Sequence, residues 1–380
     1  MLLGLPEALP SLVGKRFAAA KEAGALVFSA TQLAVLPAAG VQYQLRYCPA
    51  LAKKPVPVKA KENKGPKPDP FENPSPDLLV AEIPPQLQNQ SSGNAAGGDG
   101  GHIIVLNKFP VIPRHFILAT KQFRNQTDLL EKEDLEAAFA CIKAWKSHND
   151  ETKTKESGGR LFAFFNSGDE SGASQPHRHL QFVPIEDMRD QEEEDNNNDE
   201  SSSSSAWVPL IDRVVNTPDD DSGFRQLPNL PFKHFAVPLD ESASPDTLFQ
   251  SYLSLYRAAI DAVASAPAAV SGGGGCCWSP EAKIAKLAQT SGPAAISYNL
   301  AMTESAMMIC PRRSETAHLL PQSAAEGENG TVLSGEVSLN GTILAGTLMV
   351  KQELEWDDLR NRPDKINFLL AAVGLSNMDC

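Results

Sequence analysis

Residues 161–183 hold the pattern that most limits how this chain can fold. Leu161–Phe165 is an unbroken apolar run, Asn166–Gln175 is a polar, glycine-containing turn, and His177–Val183 alternates in character residue by residue. The run predicts a buried strand, and the alternation predicts a second strand with two unlike faces. Two strands joined by a turn of this length pair antiparallel. Successive strand side chains point to opposite faces, so His177, His179 and Gln181 project together. Any sheet built here must carry two imidazoles and a carboxamide in one row.

The flanking chain fits such a sheet. An amphipathic helix is predicted from Pro6 to about Ala23, and strands at Val41–Tyr47, His102–Leu106 and His115–Ala119. Thr127 offers an N-cap to a helix whose Leu135, Ala138, Phe139 and Ile142 recur at helical spacing. Ser244-Pro245 opens a second helix with Leu248, Tyr252, Leu255, Tyr256 and Ala259 on one face. Ala295–Leu300, Ala306–Ile309, Val332–Leu339 and Thr347–Val350 read as strands, and Ile366–Val373 as a closing helix before Gly374. Strand-rich runs with separate helices predict an α+β fold, an antiparallel sheet with flanking helices, rather than alternating βαβ units. Lys53–Pro70 is Lys/Pro-rich and reads as a mobile linker. Gln88–Gly101 and Ser271–Cys277 read as glycine-rich connectors, and the first lacks the GxxxxGK[ST] order of a phosphate loop.

Charge divides the chain. The formal net charge is -13, yet Glu186–Ser205 alone holds nine acids against one base, followed by asparagines and five serines. Such a tract buries too little apolar surface to order itself. The expected organisation is an N-terminal catalytic portion (1–185), a disordered insertion (186–205) and a C-terminal portion (206–380) packed on the first. The remainder is only mildly acidic, which argues against a nucleic-acid partner. No apolar stretch approaches membrane-spanning length, and Glu7, Lys15 and Arg16 interrupt the N-terminal run, so neither membrane insertion nor a signal peptide is expected. None of the six cysteines stands in a CxxC pair, which suits reduced thiols in a cytoplasmic protein, with the nucleus as an alternative.

An imidazole can attack phosphorus and split one difficult displacement into two easier ones. It can also bind a metal or simply fill space, and the strand alone leaves those readings open. The turn before it adds Gly172, Ala173 and Ser174, small residues whose N–H groups can approach a phosphate closely. An anion nest followed by a histidine strand is more specific than either part.

The segment Gly172–Gln181 resembles the HxHxQ signature of the transferase branch of the histidine-triad superfamily, and within it the fungal-type diadenosine tetraphosphate phosphorylases (ATP adenylyltransferases). Asn107-Lys108-Phe109-Pro110, Asn166-Ser167-Gly168, Ser297-Tyr298-Asn299-Leu300, Cys310-Pro311-Arg312 and Val337–Gly341 agree with that family. The resemblance implies a nucleotidyltransferase that cleaves the dinucleotide with phosphate into ATP and ADP through an AMP-histidine. It implies His179 as nucleophile, with His177 and Gln181 completing the catalytic set. It implies nucleotide contacts at Asn166, Gly172, Ala173, Ser174 and Gln175, polyphosphate contacts at Lys53, Lys54, Asn107 and Lys108, and a pocket completed by Ser297, Tyr298, Asn299 and Arg312. Partners would be the dinucleoside polyphosphate and inorganic phosphate, for a monomer or homodimer. No covalent cofactor or all-protein metal site is expected, and Mg2+ or another divalent ion would arrive with the substrate. Gln181 favours phosphorolysis, because a carboxamide cannot titrate to serve water as a base, whereas phosphate arrives anionic. Alternatives are a hexose-1-phosphate uridylyltransferase-like enzyme, which expects Pro where Arg178 stands, and a nucleotide-binding regulatory module without turnover.

Overall fold

The computed structural model describes residues 3–50, 68–84, 100–146, 159–189, 207–266, 279–319 and 335–377. In chain order the elements are α1 (Leu9–Glu22), β1 (Gln32–Ala38), β2 (Val41–Tyr47), β3 (Leu79–Ile83), β4 (His102–Leu106), β5 (Phe116–Thr120), α2 (Lys132–Lys146), β6 (Leu161–Ser167), β7 (His179–Pro184), α3 (Ile185–Arg189) and α4 (Leu210–Val215). Then follow β8 (Phe235–Pro238), α5 (Pro245–Ser265), α6 (Pro280–Ala288), β9 (Tyr298–Met302), β10 (Ala306–Pro311), β11 (Thr316–His318), β12 (Glu336–Ser338), β13 (Thr347–Val350), α7 (Glu353–Asn361) and α8 (Lys365–Val373).

The predicted hairpin, β6 and β7, lies inside an eight-stranded sheet of order β3-β4-β5-β7-β6-β9-β10-β8. Every neighbouring pair is antiparallel, so the fold is α+β, as expected. A smaller sheet, β1-β2-β13, pairs β13 parallel to β2. Strand alternation sorts the large sheet into two interiors. Leu161, Ala163, Phe165, Leu180 and Phe182 face α1, α2 and α5, while Phe162, Phe164 and Val183 face α4, α8 and the small sheet. Each fully buried Leu or Phe contributes about 1.5–3 kcal/mol to holding these layers together. The Ser244 hydroxyl accepts from the Thr247 N–H at 3.1 Å and Pro245 supplies the first helical position, so α5 starts where expected. Thr127 does not cap α2, which begins at Lys132; its carbonyl instead accepts from the Ala294 N–H.

The C-terminal portion meets the first by sharing its sheet, with β6 paired to β9, and one expectation about the connections needs correction. The acidic tract begins as structure rather than as a disordered insertion: Glu186–Arg189 lie in α3, with Asp187 and Met188 buried. Arg114 grips Asp187 through two hydrogen bonds (2.8 and 2.6 Å), and the Met188 carbonyl accepts from Gln44 and Arg46. These partners offset the acidity that made the segment look solvated. Residues 190–205, the loop at 88–99, residues 271–277 and Lys53 and Lys54 lie outside the described residues. Among the described residues no helix is long and apolar enough to cross a membrane.

Candidate active site

β6 and β7 pair as far as Phe164 opposite Gln181. Two residues further Asn166 would meet His179, but the buried side chain of Gln126 stands between them. Its amide donates to the carbonyls of Asn166 (2.7 Å) and His179 (3.2 Å), and its oxygen accepts from the His179 N–H (2.7 Å). The ladder therefore stops at the site without leaving its backbone groups unsatisfied.

His179 is 2% exposed. Its Nδ1 lies 2.8 Å from the His177 carbonyl, an obligate acceptor, so the proton sits on Nδ1 and the lone pair on Nε2. Burial pushes the ring's pKa down to about 4, with the bond to that carbonyl acting the other way. At neutral pH the ring is uncharged and Nε2 is nucleophilic. His177 is placed differently. Its Nδ1 is 2.7 Å from the Asp69 carboxylate, and its Nε2 is 2.8 Å from the Thr120 carbonyl and 3.0 Å from the Thr120 hydroxyl. Both ring nitrogens of His177 are occupied, and its carbonyl fixes the tautomer of His179.

Sequence reasoning missed Asp69, Phe71, Thr120 and Gln126. Asp69 fell in the segment read as a linker, yet its other oxygen accepts from the Phe71 N–H at 2.9 Å. The Phe71 ring, 5% exposed, packs 5.6 Å from the His177 ring and 5.2 Å from that of His179. The available signal was the change from Lys/Pro composition to an acid and an aromatic at Asp69-Pro70-Phe71. Arg178 points to the helix face and pairs with Asp134 at 2.7 Å; the other oxygen of Asp134 lies 2.9 Å from His102. A cavity of about 370 Å³ lined by His102, Asp134 and Arg178 lies on that side, behind the histidines.

The Asn166 carboxamide is aimed by a chain of donors. Arg312, which can only donate, gives a hydrogen bond to Asn299 Oδ1. The Asn299 amide then donates to Asn166 Oδ1 and to the Ser171 carbonyl, both at 2.9 Å, and the Gly341 N–H also donates to Asn166 Oδ1 at 2.9 Å. The amino group of Asn166 is left buried with no partner among the described residues. It is a donor that a bound anion would satisfy.

The turn between the strands needs its glycines. Gly168 and Gly172 have φ of 89° and 79°, and a Cβ on Gly172 would sit 2.8 Å from the Asn340 Cβ and 2.9 Å from the Leu339 carbonyl. The turn Gly172–Gln175 is thus pressed against the Asn340 loop, while the Ser297 hydroxyl accepts from the Glu170 N–H at 3.4 Å. Two expected pocket residues are placed otherwise. Tyr298 is fully buried on the helix face, its hydroxyl 2.7 Å from that of Tyr252, because strand alternation gives the site face to Asn299. Arg312 is 5% exposed and also donates to the carbonyls of Val373, Ser314 and Leu339, so it orients Asn299 rather than reaching a ligand. Lys108 is exposed on the Asn107–Pro110 turn. Among the described residues no group of three or more His, Cys, Asp or Glu is placed to hold a metal ion.

One neutral imidazole with an unspent nitrogen, beside an oriented amide donor and a turn of small residues, suits the acceptance and release of a phosphorus-bound group. That is the chemistry of the nucleotidyltransferases. Residues 2–195 match the Ap4A phosphorylase N-terminal domain and residues 228–376 the ATP adenylyltransferase C-terminal domain, and the chain belongs to this family of AMP-transferring enzymes. Diadenosine 5',5'''-P1,P4-tetraphosphate phosphorylase 2 of Saccharomyces cerevisiae is 27% identical over 384 residues, spanning 98% of this chain and 96% of the relative. Protein APA1 of the same yeast is 25% identical over 389 residues, spanning 99% and 97%. The crystal structure of yeast Ap4A phosphorylase Apa2 in complex with Ap4A has the same fold, with a TM-score of 0.67 at 24% identity, covering 99% of this chain and all of that one.

Proposed function

We propose that this chain moves AMP through a covalent bond to Nε2 of His179. The overall reaction is the phosphorolysis of diadenosine tetraphosphate: the dinucleotide and inorganic phosphate become ATP and ADP. In the first step Nε2 bonds to an α-phosphorus, the bond from that phosphorus to the bridging oxygen breaks, and ATP leaves with the electron pair. In the second, a phosphate oxygen attacks the same phosphorus, the P–N bond breaks, and ADP departs. Asn166, Gly172–Gln175, Ser297 and Asn299 frame the nucleotide, the first through its unpartnered amino group. Lys108 with Lys53 or Lys54 meets the remaining polyphosphate. A divalent ion enters as counter-ion of the substrate, whose own oxygens supply its ligands.

The observation that carries this reading is the assignment of the four ring nitrogens. Of the four, only Nε2 of His179 has no partner among the described residues, whereas His177 is held on both sides. The test is incubation with labelled diadenosine tetraphosphate without phosphate. Acid-labile AMP should remain on the parent chain and on His177→Ala, at a lower rate for the latter, and none on His179→Ala. Label that persists in His179→Ala and vanishes in His177→Ala would reverse the roles. Adding phosphate to the labelled chain should release ADP, and a label that phosphate never discharges would favour a regulatory module.

A further inference from the structure

His115, 8% exposed, bridges two polar residues of the site face. Its Nδ1 lies 3.2 Å from Asn107 Nδ2, and its Nε2 lies 3.1 Å from Gln181 Oε1. The direction of every bond in this row follows from one backbone group. The Phe109 N–H can only donate, and it does so to Asn107 Oδ1 at 2.9 Å. Asn107 must therefore turn its amino group to His115, whose Nδ1 accepts and whose proton is left on Nε2. That proton goes to Gln181 Oε1, so the Gln181 amino group is the end that faces away from His115. The neutral state this requires agrees with burial, which pushes the His115 pKa down to about 4 against the opposing hydrogen bond to Gln181.

We propose that Asn107 and His115 are positioning residues which hold the amino group of Gln181 toward the phosphorus attacked by His179. The inference rests on the reading of Gln181 as a contact of the transferring group. Both carboxamides of the site, Asn166 and Gln181, then have their oxygens taken by the protein and offer only N–H. A site so arranged suits a tetrahedral anion and would repel the charge if either amide flipped. Asn107, expected to meet the polyphosphate, uses its side chain to set this direction.

The test is a double-mutant cycle on the full chain. His115→Phe keeps an aromatic ring beside Phe164, 6.3 Å away in the parent, and removes both hydrogen bonds. It should slow the rate of AMP transfer to His179 on the order of tenfold to a hundredfold, somewhat less than the loss of a whole oriented donor. In a Gln181→Ala background the same substitution should cost nothing further, because no amide remains to orient. Asn107→Asp, nearly identical in shape but with no amino group to give, should repeat both results if His115→Phe fails to fold. Equal losses in both backgrounds would overturn the relay while leaving the role of Gln181 intact. A Gln181→Ala chain as fast as the parent would instead remove the reading of Gln181 itself, and the relay with it.

Discussion

Two strands of the large sheet begin with the same local device and end with different chemistry. At the start of β7, His179 Nδ1 is bonded to the carbonyl two residues back, at 2.8 Å. One residue before β8, His234 Nδ1 is bonded to the Phe232 carbonyl, also two residues back, at 2.9 Å. Both rings are buried, and burial pushes both pKa values down to about 4, each against the bond to its carbonyl. The difference lies at Nε2. That of His234 accepts from the Leu227 N–H at 2.9 Å, whereas that of His179 has no partner among the described residues. At both positions the tautomer is set by the backbone two residues back. Reactivity depends on whether the fold supplies a partner for the other nitrogen.

The sharpest way to separate the two is substitution at each. His179→Ala should lower turnover about ten-thousandfold or more, as removal of a nucleophile does, with little change in Tm. His234→Leu should leave turnover per folded molecule near the parent's and lower Tm by several degrees. It strands the Leu227 N–H, a loss of about 1–3 kcal/mol. Comparable loss of turnover in both variants would break the distinction.

A smaller effect should follow from loosening the neighbour that sets the lock. Asp69→Ala frees Nδ1 of His177, whose carbonyl holds His179, and turnover should fall about tenfold to a hundredfold by misplacement of the reacting nitrogen. The rate of acid-labile AMP formation reports this directly, and an unchanged rate would show that the Thr120 bonds suffice. Smaller again, Gln181→His should shift the products of diadenosine tetraphosphate from ADP toward AMP. The new imidazole can assist water, although by less than the hundredfold or so of a well-placed base. A variant that forms ADP as exclusively as the parent would assign the exclusion of water to closure of the pocket.

The smallest expected effect concerns pH. His115, His179 and His234 all have folded pKa values of about 4, below the ordinary histidine value of about 6.5. Between those limits the unfolded chain binds more protons, so stability is lost as pH falls from about 6.5 toward 4. His234→Leu should flatten the decline of Tm over this window by one proton's share. The acid limb of AMP transfer to the free enzyme should lie near pH 4 rather than 6.5, since His179 stays neutral until then.

What the sequence disclosed follows from the range of the interactions involved. The row His177–Gln181 and the antiparallel pairing of β7 with β6 were legible because strand alternation is local. So was the Ser244 cap, which is settled within three residues. Asp69 was not, because its contact with His177 spans more than a hundred residues and its neighbourhood has linker composition. α3 was hidden by its acids, whose partners, the Arg114 guanidinium and the Arg160 backbone N–H, come from far along the chain. Tyr298 was misplaced for a different reason: the motif Ser297–Leu300 marks a functional stretch, but only strand parity tells which of its side chains face the site. Arg312, expected to complete the pocket, instead works on Asn299 from within the core.

Gln126 has a consequence beyond the hydrogen bonds it makes. By ending the β6–β7 ladder at the site, it works like the stop at the bottom of a zipper. The paired rows below it are closed off from the turn Gly168–Gln175, which joins the strands above. Which residues of the two strands lie opposite each other is thus marked by Gln126, while the shape of the turn is set separately, by Gly168 and Gly172 against Ser297 and Asn340. In a hairpin without such a stop, inserting one residue in the turn invites a slip that sends every side chain to the wrong face. Here Gln126 gives the histidine row a register mark of its own, independent of the turn.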